Sequence, residues 1–231
     1  MLYIIPTPIG NLRDLTFRAL DILQSVHKII CEDTRHTQRL LKHYEVSQTL
    51  VSFHEHSGPE KVQEIIKWMK EGQTLALVSD AGMPLISDPG YQVVREAIRN
   101  GIEVIALPGP TASVTALVKS GLPTDSYSFF GFIPKKTVGR KKFFETLKER
   151  EETLIFYESP YRVSDTLKDL QEVFGNREAA VVREISKKFE ESKRGYLSDL
   201  IEIYSKKEPL GEIVIVVAGK DCKDAFGHSE A

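Results

Sequence analysis

The 231-residue chain is 41% hydrophobic and carries 31 Lys and Arg against 33 Asp and Glu, a formal charge of -2. That content builds a packed core and excludes the molecule-wide positive field of a protein that coats nucleic acid, leaving any RNA or DNA contact to a local patch. The two cysteines, Cys31 and Cys222, lack zinc-site spacing, no apolar run reaches the roughly 18 residues of a membrane helix, and the N-terminus lacks a signal-peptide pattern. The expectation is a soluble, cytoplasmic protein with reduced thiols, no metal and no membrane partner.

In chain order, strand-like runs occur at "LYII" (2 to 5), "HKIIC" (27 to 31), "TLVSF" (49 to 53), "TLALVS" (74 to 79) and "IEVIAL" (102 to 107), separated by stretches of helical spacing. In "GPEKVQEIIKWMKEG" Val62, Ile65, Ile66 and Met69 share one face, and Gly72 closes the helix. In "SDPGYQVVREAIRNG" Ser87 or Asp88 reads as the N-cap, with Pro89 in the first turn. Around "KSGLPTDS" (119 to 126) Gly and Pro interrupt the pattern. Further strand-like runs follow: "YSFFGF", "ETLIFYES", "EAAVVREI", "KFEESKRGYL" and "GEIVIVVAG", with helices such as "PYRVSDTLKDLQEVFG" between them. This predicts two α/β domains, 1–121 and 122–219, the second with a mixed or antiparallel sheet, and a frayed tail at 220–231.

Ligands of α/β sheets sit beyond the carboxyl ends of strands. The loops there are alike: "PTPIGN" (6 to 11), "EDTRHT" (32 to 37), "SDAGMPLISDPG" (79 to 90) and "PGPTAS" (108 to 113). Pro fixes φ and Gly admits close approach to the backbone, so four such loops suit a ligand held by main-chain groups, although each alone is an ordinary tight turn. Neither phosphate-binding glycine motif, nor H-E-x-x-H, nor G-x-S-x-G is present.

Taken together, "TPIGNLRDLTFRAL", "EDTRHTQRLL", "SDAGMPLISDPG", "PGPTASVTAL", "SGLPTDSYSFFGFIPKK", "FYESPYR" and "REISKKFEESKRG" resemble, in order and spacing over about residues 2 to 219, the ribosomal RNA small-subunit methyltransferase I group of the tetrapyrrole methylase superfamily. The resemblance implies two α/β domains with S-adenosylmethionine in the cleft between them and a homodimer. Its implied reaction is 2'-O-methylation of a cytidine in the decoding region of 16S rRNA, free or within the small ribosomal subunit. It places cofactor contacts on Pro8, Ala81, Gly82, Met83, Pro84, Ile86, Thr111 and Ala112, with Glu158 and Ser186 in the second domain. The group usually carries Thr where this chain has Met83, which leaves backbone contacts at that position. Some members also continue into a C-terminal helical domain.

Removing the proton of a ribose hydroxyl calls for a carboxylate or a desolvated Lys, and Asp33, Glu158 and Glu184 are the candidates. Each has a plain structural alternative: helix capping for Asp33 and Glu158, pairing with Arg183 or Lys187 for Glu184. For RNA the densest patch is "KKTVGRKK" (135 to 142), five cations in eight residues after the aromatic "YSFFGF". Lys135, Lys136 and Arg140, with Arg18, Arg35, Arg162 and Arg194, are the phosphate-contact candidates. Core burial of Phe129 and Phe130 and a merely solvated cationic helix face are the alternatives. Two other functions fit the same residues: another superfamily methylase acting on a tetrapyrrole or a protein side chain, and a non-catalytic cofactor- or RNA-binding module.

Overall fold

The computed structural model describes residues 1–222 and 225–227, which form two compact units, Met1–Thr111 and the chain from Ala112 onward. The first holds β1 (Leu2–Ile5), α1 (Phe17–Ser25), β2 (Lys28–Cys31), α2 (Thr34–His43), β3 (Thr49–Ser52), α3 (Pro59–Lys70), β4 (Leu75–Val78), α4 (Tyr91–Arg99) and β5 (Val104–Ala106). The strands pair in the order β3-β2-β4-β1-β5, all parallel. Alternation along the strands explains the layering. Leu2, Ile4, Ile30, Leu75 and Leu77 pack under α3 and α4, whereas Ile5, Ile29, Cys31, Ala76 and Val78 pack under α1 and α2.

Because every strand runs the same way, all four loops, three of them rich in Pro and Gly, leave from one edge. Neighbouring β1 and β4 also send their connections in opposite directions, which makes a topological switch point there. The five expected strands are all present. The start of α4 differs from expectation, since neither Ser87 nor Asp88 caps it and Pro89 lies outside it. The helix begins behind Gly90, whose φ of 125° and contact with Leu77, where a Cβ would lie 2.6 Å from Cδ2, delay helical geometry.

The second unit contains α5 (Ala112–Ser120), β6 (Tyr127–Phe132), α6 (Thr137–Glu145), β7 (Thr153–Glu158), α7 (Val163–Phe174), β8 (Glu178–Arg183), β9 (Glu191–Tyr196), α8 (Leu197–Lys206) and β10 (Ile213–Val217). Its sheet runs β6-β7-β10-β8-β9, mixed as expected: β6 and β7 are parallel and the other neighbours antiparallel. Helices α6, α7 and α8 cover one face through Phe144, Leu167 and Leu200, and α5 packs on β10 and β8 from the other. Where the sequence puts a boundary near Leu122, the compact units divide between Thr111 and Ala112, because α5 belongs to the second sheet. Arg194 fastens it, donating from Nε to the Ser120 carbonyl at 3.0 Å and from its terminal nitrogen to that of Lys119.

Within the tail expected to fray, residues 220, 225 and 226 have backbone hydrogen-bond partners. The Lys220 amide bonds the Arg150 carbonyl at 2.8 Å, and the amides of Ala225 and Phe226 donate to the buried Glu178 carboxylate at 2.7 and 3.1 Å. Residues 223, 224 and 228–231 lie outside the described set. Both cysteines are free, and among the described residues no helix is long and apolar enough to cross a membrane and no side-chain cluster suits a metal.

Candidate active site

The carboxyl edge of the first sheet is a set of interlocked turns. Thr7 and Gly82 exchange backbone hydrogen bonds of 2.9 and 3.0 Å, which ties the loop after β1 to the loop after β4. The buried Thr7 hydroxyl donates to the Ser79 carbonyl at 3.0 Å, and the Ser79 hydroxyl donates to the Gly82 carbonyl at 2.7 Å. Gly82 has φ of 85°, and a Cβ there would sit 3.3 Å from Ile9. On the other side of β1, a Cβ on Gly109 would lie 2.9 Å from the ring of Pro6. Small residues are therefore a steric condition of seating these loops together. Leu85 and Ser87 are in the left-handed region at φ of 72° and 66°, a conformation L-residues rarely hold and one that concentrates at ligand clamps.

The sequence-named residues of this unit distribute as follows. Pro8, Met83 and Thr111 are half-buried, Pro84 is buried, and Ala81 and Ile86 are exposed. Pro8, the 81–86 turn and Thr111 share the carboxyl edge, whereas Ala112 opens α5 in the second unit. The Met83 side chain packs on the core cluster under α3 and α4, so at this position the backbone is what faces the turn.

Three further carboxylates of this edge went unnamed as site residues: Glu32, Asp80 and Asp88. The Asp80 carboxylate accepts the Asp33 amide at 3.3 Å, tying the loop after β2 to that after β4. Burial and the nearby charges of Glu32 and Asp80 push the Asp88 carboxyl up to about 6, and burial with Asp80 raises Glu32 as well. The two aspartates were visible in "SDAGMPLISDPG", but nothing local to that string tells that they face Glu32 from another strand.

Asp33 behaves in the opposite way. It is the N-cap of α2, accepting the Arg35 amide at 2.8 Å and the Arg35 guanidinium at 3.1 and 2.8 Å, and these bonds hold its carboxyl well below the usual carboxylate range. Such a group is a weaker proton acceptor than a free carboxylate, and its hydrogen bonds serve the capping role named as its structural alternative. The same pair occupies Arg35, while Arg18 is exposed on α1.

In the second unit Glu158, Glu184 and Ser186 follow the carboxyl ends of β7 and β8, on one edge of the sheet. Glu158 is buried and accepts from the Ser159 amide (2.6 Å), Arg162 Nε (2.9 Å), an Arg162 terminal nitrogen (2.5 Å) and the Thr166 hydroxyl (2.6 Å). Three of these donors meet Oε1 and one, Thr166, meets Oε2, which makes Glu158 the anchor of the turn Pro160–Arg162. Glu184 accepts from Lys187 at 2.9 Å and from the Glu212 amide at 3.0 Å, and lies where a side chain on Gly211 would have to go. Burial opposes its charge, but those donors outweigh it and lower the carboxyl. Both carboxylates hold turns at this edge, Glu158 at Pro160–Arg162 and Glu184 beside Gly211. Ser186 has φ of 62°, and its amide donates to Glu190 at 2.5 Å.

The cationic candidates sort by burial. Arg140 is 2% exposed and donates to Asp169 at 2.7 and 2.5 Å, so it holds α6 to α7 and cannot meet a phosphate. Arg162 is committed to Glu158, and Arg194 to the end of α5. Lys135 and Lys136, in the exposed loop before α6, pair with no carboxylate among the described residues.

A parallel doubly wound unit followed by a mixed-sheet α/β unit is an architecture shared with known solved structures. Similar structures are a uroporphyrin-III C-methyltransferase from Thermus thermophilus, with a TM-score of 0.65 and 21% identity over 95% of this chain and 94% of that one, and a diphthine synthase, with 0.71 and 13% over 97% and 92%. The sequence matches the family of Tetrapyrrole (Corrin/Porphyrin) Methylases over residues 1–201. Relatives named ribosomal RNA small subunit methyltransferase I include those of Bacillus subtilis, 47% identical over 96% of this chain and 76% of its own length, and of Streptococcus pyogenes serotype M1, 48% identical over 94% and 76%. Another, from Thermotoga maritima, is 45% identical over 95% of this chain and 99% of its own. The chain belongs to the tetrapyrrole methylase family, within the group of these ribosomal RNA methyltransferases.

Proposed function

We propose that the chain transfers the methyl group of S-adenosylmethionine to the 2'-oxygen of a cytidine ribose in the decoding region of small-subunit rRNA, acting as a cytoplasmic homodimer. The observation that carries this reading is the interlocked, side-chain-poor edge at Thr7, Gly82 and Gly109, in a chain nearly half identical to relatives named for that RNA. The residues fit the cofactor on two counts. Gly82 and Gly109 let the loops after β1, β4 and β5 close on one another as a rigid seat, and the acidic set Glu32, Asp80 and Asp88 complements a ligand bearing sulfonium and ammonium charges. When bound, the cofactor supplies an electrophilic methyl group.

The chain's own contribution is position and proton handling. Rigid turns that fix both partners in attack geometry supply an effect worth about 7 to 11 kcal/mol in favourable cases. Pro8, the 81–86 turn and Thr111 are assigned to holding the cofactor, with Ala112 and Ser186 contributing from the second unit. We assign proton acceptance to Asp88 on its place at the carboxyl edge, half-buried in the loop after β4 beside Glu32 and Asp80, where burial raises its carboxyl to about 6.

Asp88→Asn tests that role and carries a stability signature of definite sign. A carboxyl raised from 3.8 to about 6 by the fold makes the native state bind more protons than the unfolded chain between those values, so stability falls as pH rises through that window. Above it, the Asn variant is expected to be more stable than wild type by about 1 to 2 kcal/mol after allowing for solvent screening, with no gain at pH 3.5. Methyl transfer is expected to slow roughly 10- to 100-fold in the same variant. Urea melts at both pH values and single-turnover rates decide; a variant of unchanged rate removes Asp88 from the chemistry.

The function is tested with labelled S-adenosylmethionine and isolated small ribosomal subunits, or their RNA, as acceptor. Nuclease digestion is expected to give label in 2'-O-methylcytidine. Label entering only a porphyrinoid or only protein overturns the reading, and binding of cofactor without transfer to any ribosomal acceptor makes the chain a non-catalytic module.

A further inference from the structure

Large aromatic side chains left mostly in water beside cations mark interaction surfaces, and Phe132 and Tyr161 stand so at one edge of the second sheet. Strand β6 carries Phe129, Phe130 and Phe132. Strict alternation would send Phe129 and Phe132 to opposite faces, but the register of β6 against β7 slips between them, with Gly131 at φ of 63°. The bulge turns both rings toward Tyr157, with centroids 4.7 and 5.6 Å from it, while Phe130 stacks on Phe156 in the core. Phe129 is half-buried by this contact, yet Phe132 remains 64% exposed.

Beyond β7 the turn Pro160–Arg162 presents Tyr161 at 72% exposure, and the pair of buried Glu158 with half-buried Arg162 fixes that turn. Since β6 and β7 are parallel, the two aromatics leave from the same edge, as does the loop holding Lys135 and Lys136. A rigid mount for exposed rings beside uncommitted cations matches unpaired RNA, whose bases offer faces for stacking and whose phosphates need counter-charge.

We propose that this edge is an RNA-stacking platform, in which Phe132 and Tyr161 hold unpaired bases flanking the substrate nucleotide while Lys135 and Lys136 take the adjoining phosphates. It rests on the reading of small-subunit RNA as substrate. A platform here orders the strand around the target, so that affinity comes from stacking and counterion release rather than from base-edge recognition.

The test compares wild type with Phe132→Ala, Tyr161→Ala, the double aromatic variant, Phe132→Trp and Lys135→Gln/Lys136→Gln, all as full chains. Measurements are methylation of small subunits, calorimetric uptake of S-adenosylmethionine, the melting midpoint and sedimentation. Each alanine variant is expected to raise KM for the RNA substrate about ten-fold, with cofactor affinity, melting midpoint and oligomeric state unchanged. Trp at 132 is expected to restore it, and the double Gln variant to flatten the salt dependence of RNA binding by about one to two units of slope.

A double aromatic variant with wild-type KM overturns the platform and leaves the functional reading standing. A change of oligomeric state in that variant also overturns it, by assigning the rings to contact between copies of the chain. Absence of label in small-subunit RNA from wild-type protein overturns the functional reading and the platform with it.

Discussion

Replacing Gly82 by valine is expected to abolish cofactor uptake, lowering affinity for S-adenosylmethionine at least 100-fold while the protein stays folded. The residue sits at φ of 85°, where a β-branched side chain is strongly disfavoured, and its Cβ would press on Ile9 at 3.3 Å. Gly82 also donates to and accepts from Thr7 and accepts the Ser79 hydroxyl, so a shift there moves the loops after β1 and β4 together. Backbone strain of about 1 to 3 kcal/mol is small beside the stability of a domain, whereas the shift displaces two loops of the proposed seat at once. Calorimetric titration with the cofactor and its demethylated product, alongside a circular-dichroism melt, separates the two effects. Uptake within three-fold of wild type in a folded variant would remove this turn from the binding site.

Arg140→Ala is expected to destabilise the second unit by about 3 to 5 kcal/mol, the effect of leaving a buried charge without its partner. Arg140 is 2% and Asp169 6% exposed, and Lys141, 3.7 Å from the other Asp169 oxygen, is itself drawn to Glu172. Replacing both partners by apolar residues of similar size, Arg140→Met with Asp169→Leu, is expected to recover most of the loss, since no orphan charge remains. Denaturant titration monitored by the unit's own tyrosines measures both. Should Arg140→Ala leave stability intact and instead weaken RNA binding, the guanidinium belongs at the surface and the ion pair is incidental.

Arg140 also illustrates how far a local reading reaches. "GRKKFF" sets three cations and two aromatics in one helix, and its spacing fits more than one buried face. What decides is Asp169, on α7 and 29 positions away, which offers the one carboxylate that makes burying a guanidinium tolerable. Glu158 was ambiguous for the same reason: Ser159 and Arg162 are neighbours in sequence, but Thr166 completes the site only after α7 has formed. The orientation of Phe132 depends on a slip of register against β7, and the division after Thr111 on the packing of α5 against strands that come much later in the chain.

The sequence by itself determined the ten strands, helices α3, α4 and α7, the α/β class, and the Pro- and Gly-rich turns at strand ends, because alternation, helical spacing and φ preference act within a few residues. Only the tertiary structure decided which turns lock together, which cations are neutralised and which carboxylate is held near neutrality. The desolvation and charge pairing behind those outcomes depend on groups brought within a few ångströms from distant positions, and the parallel order β3-β2-β4-β1-β5 is what gathers Glu32, Asp80 and Asp88 at one edge.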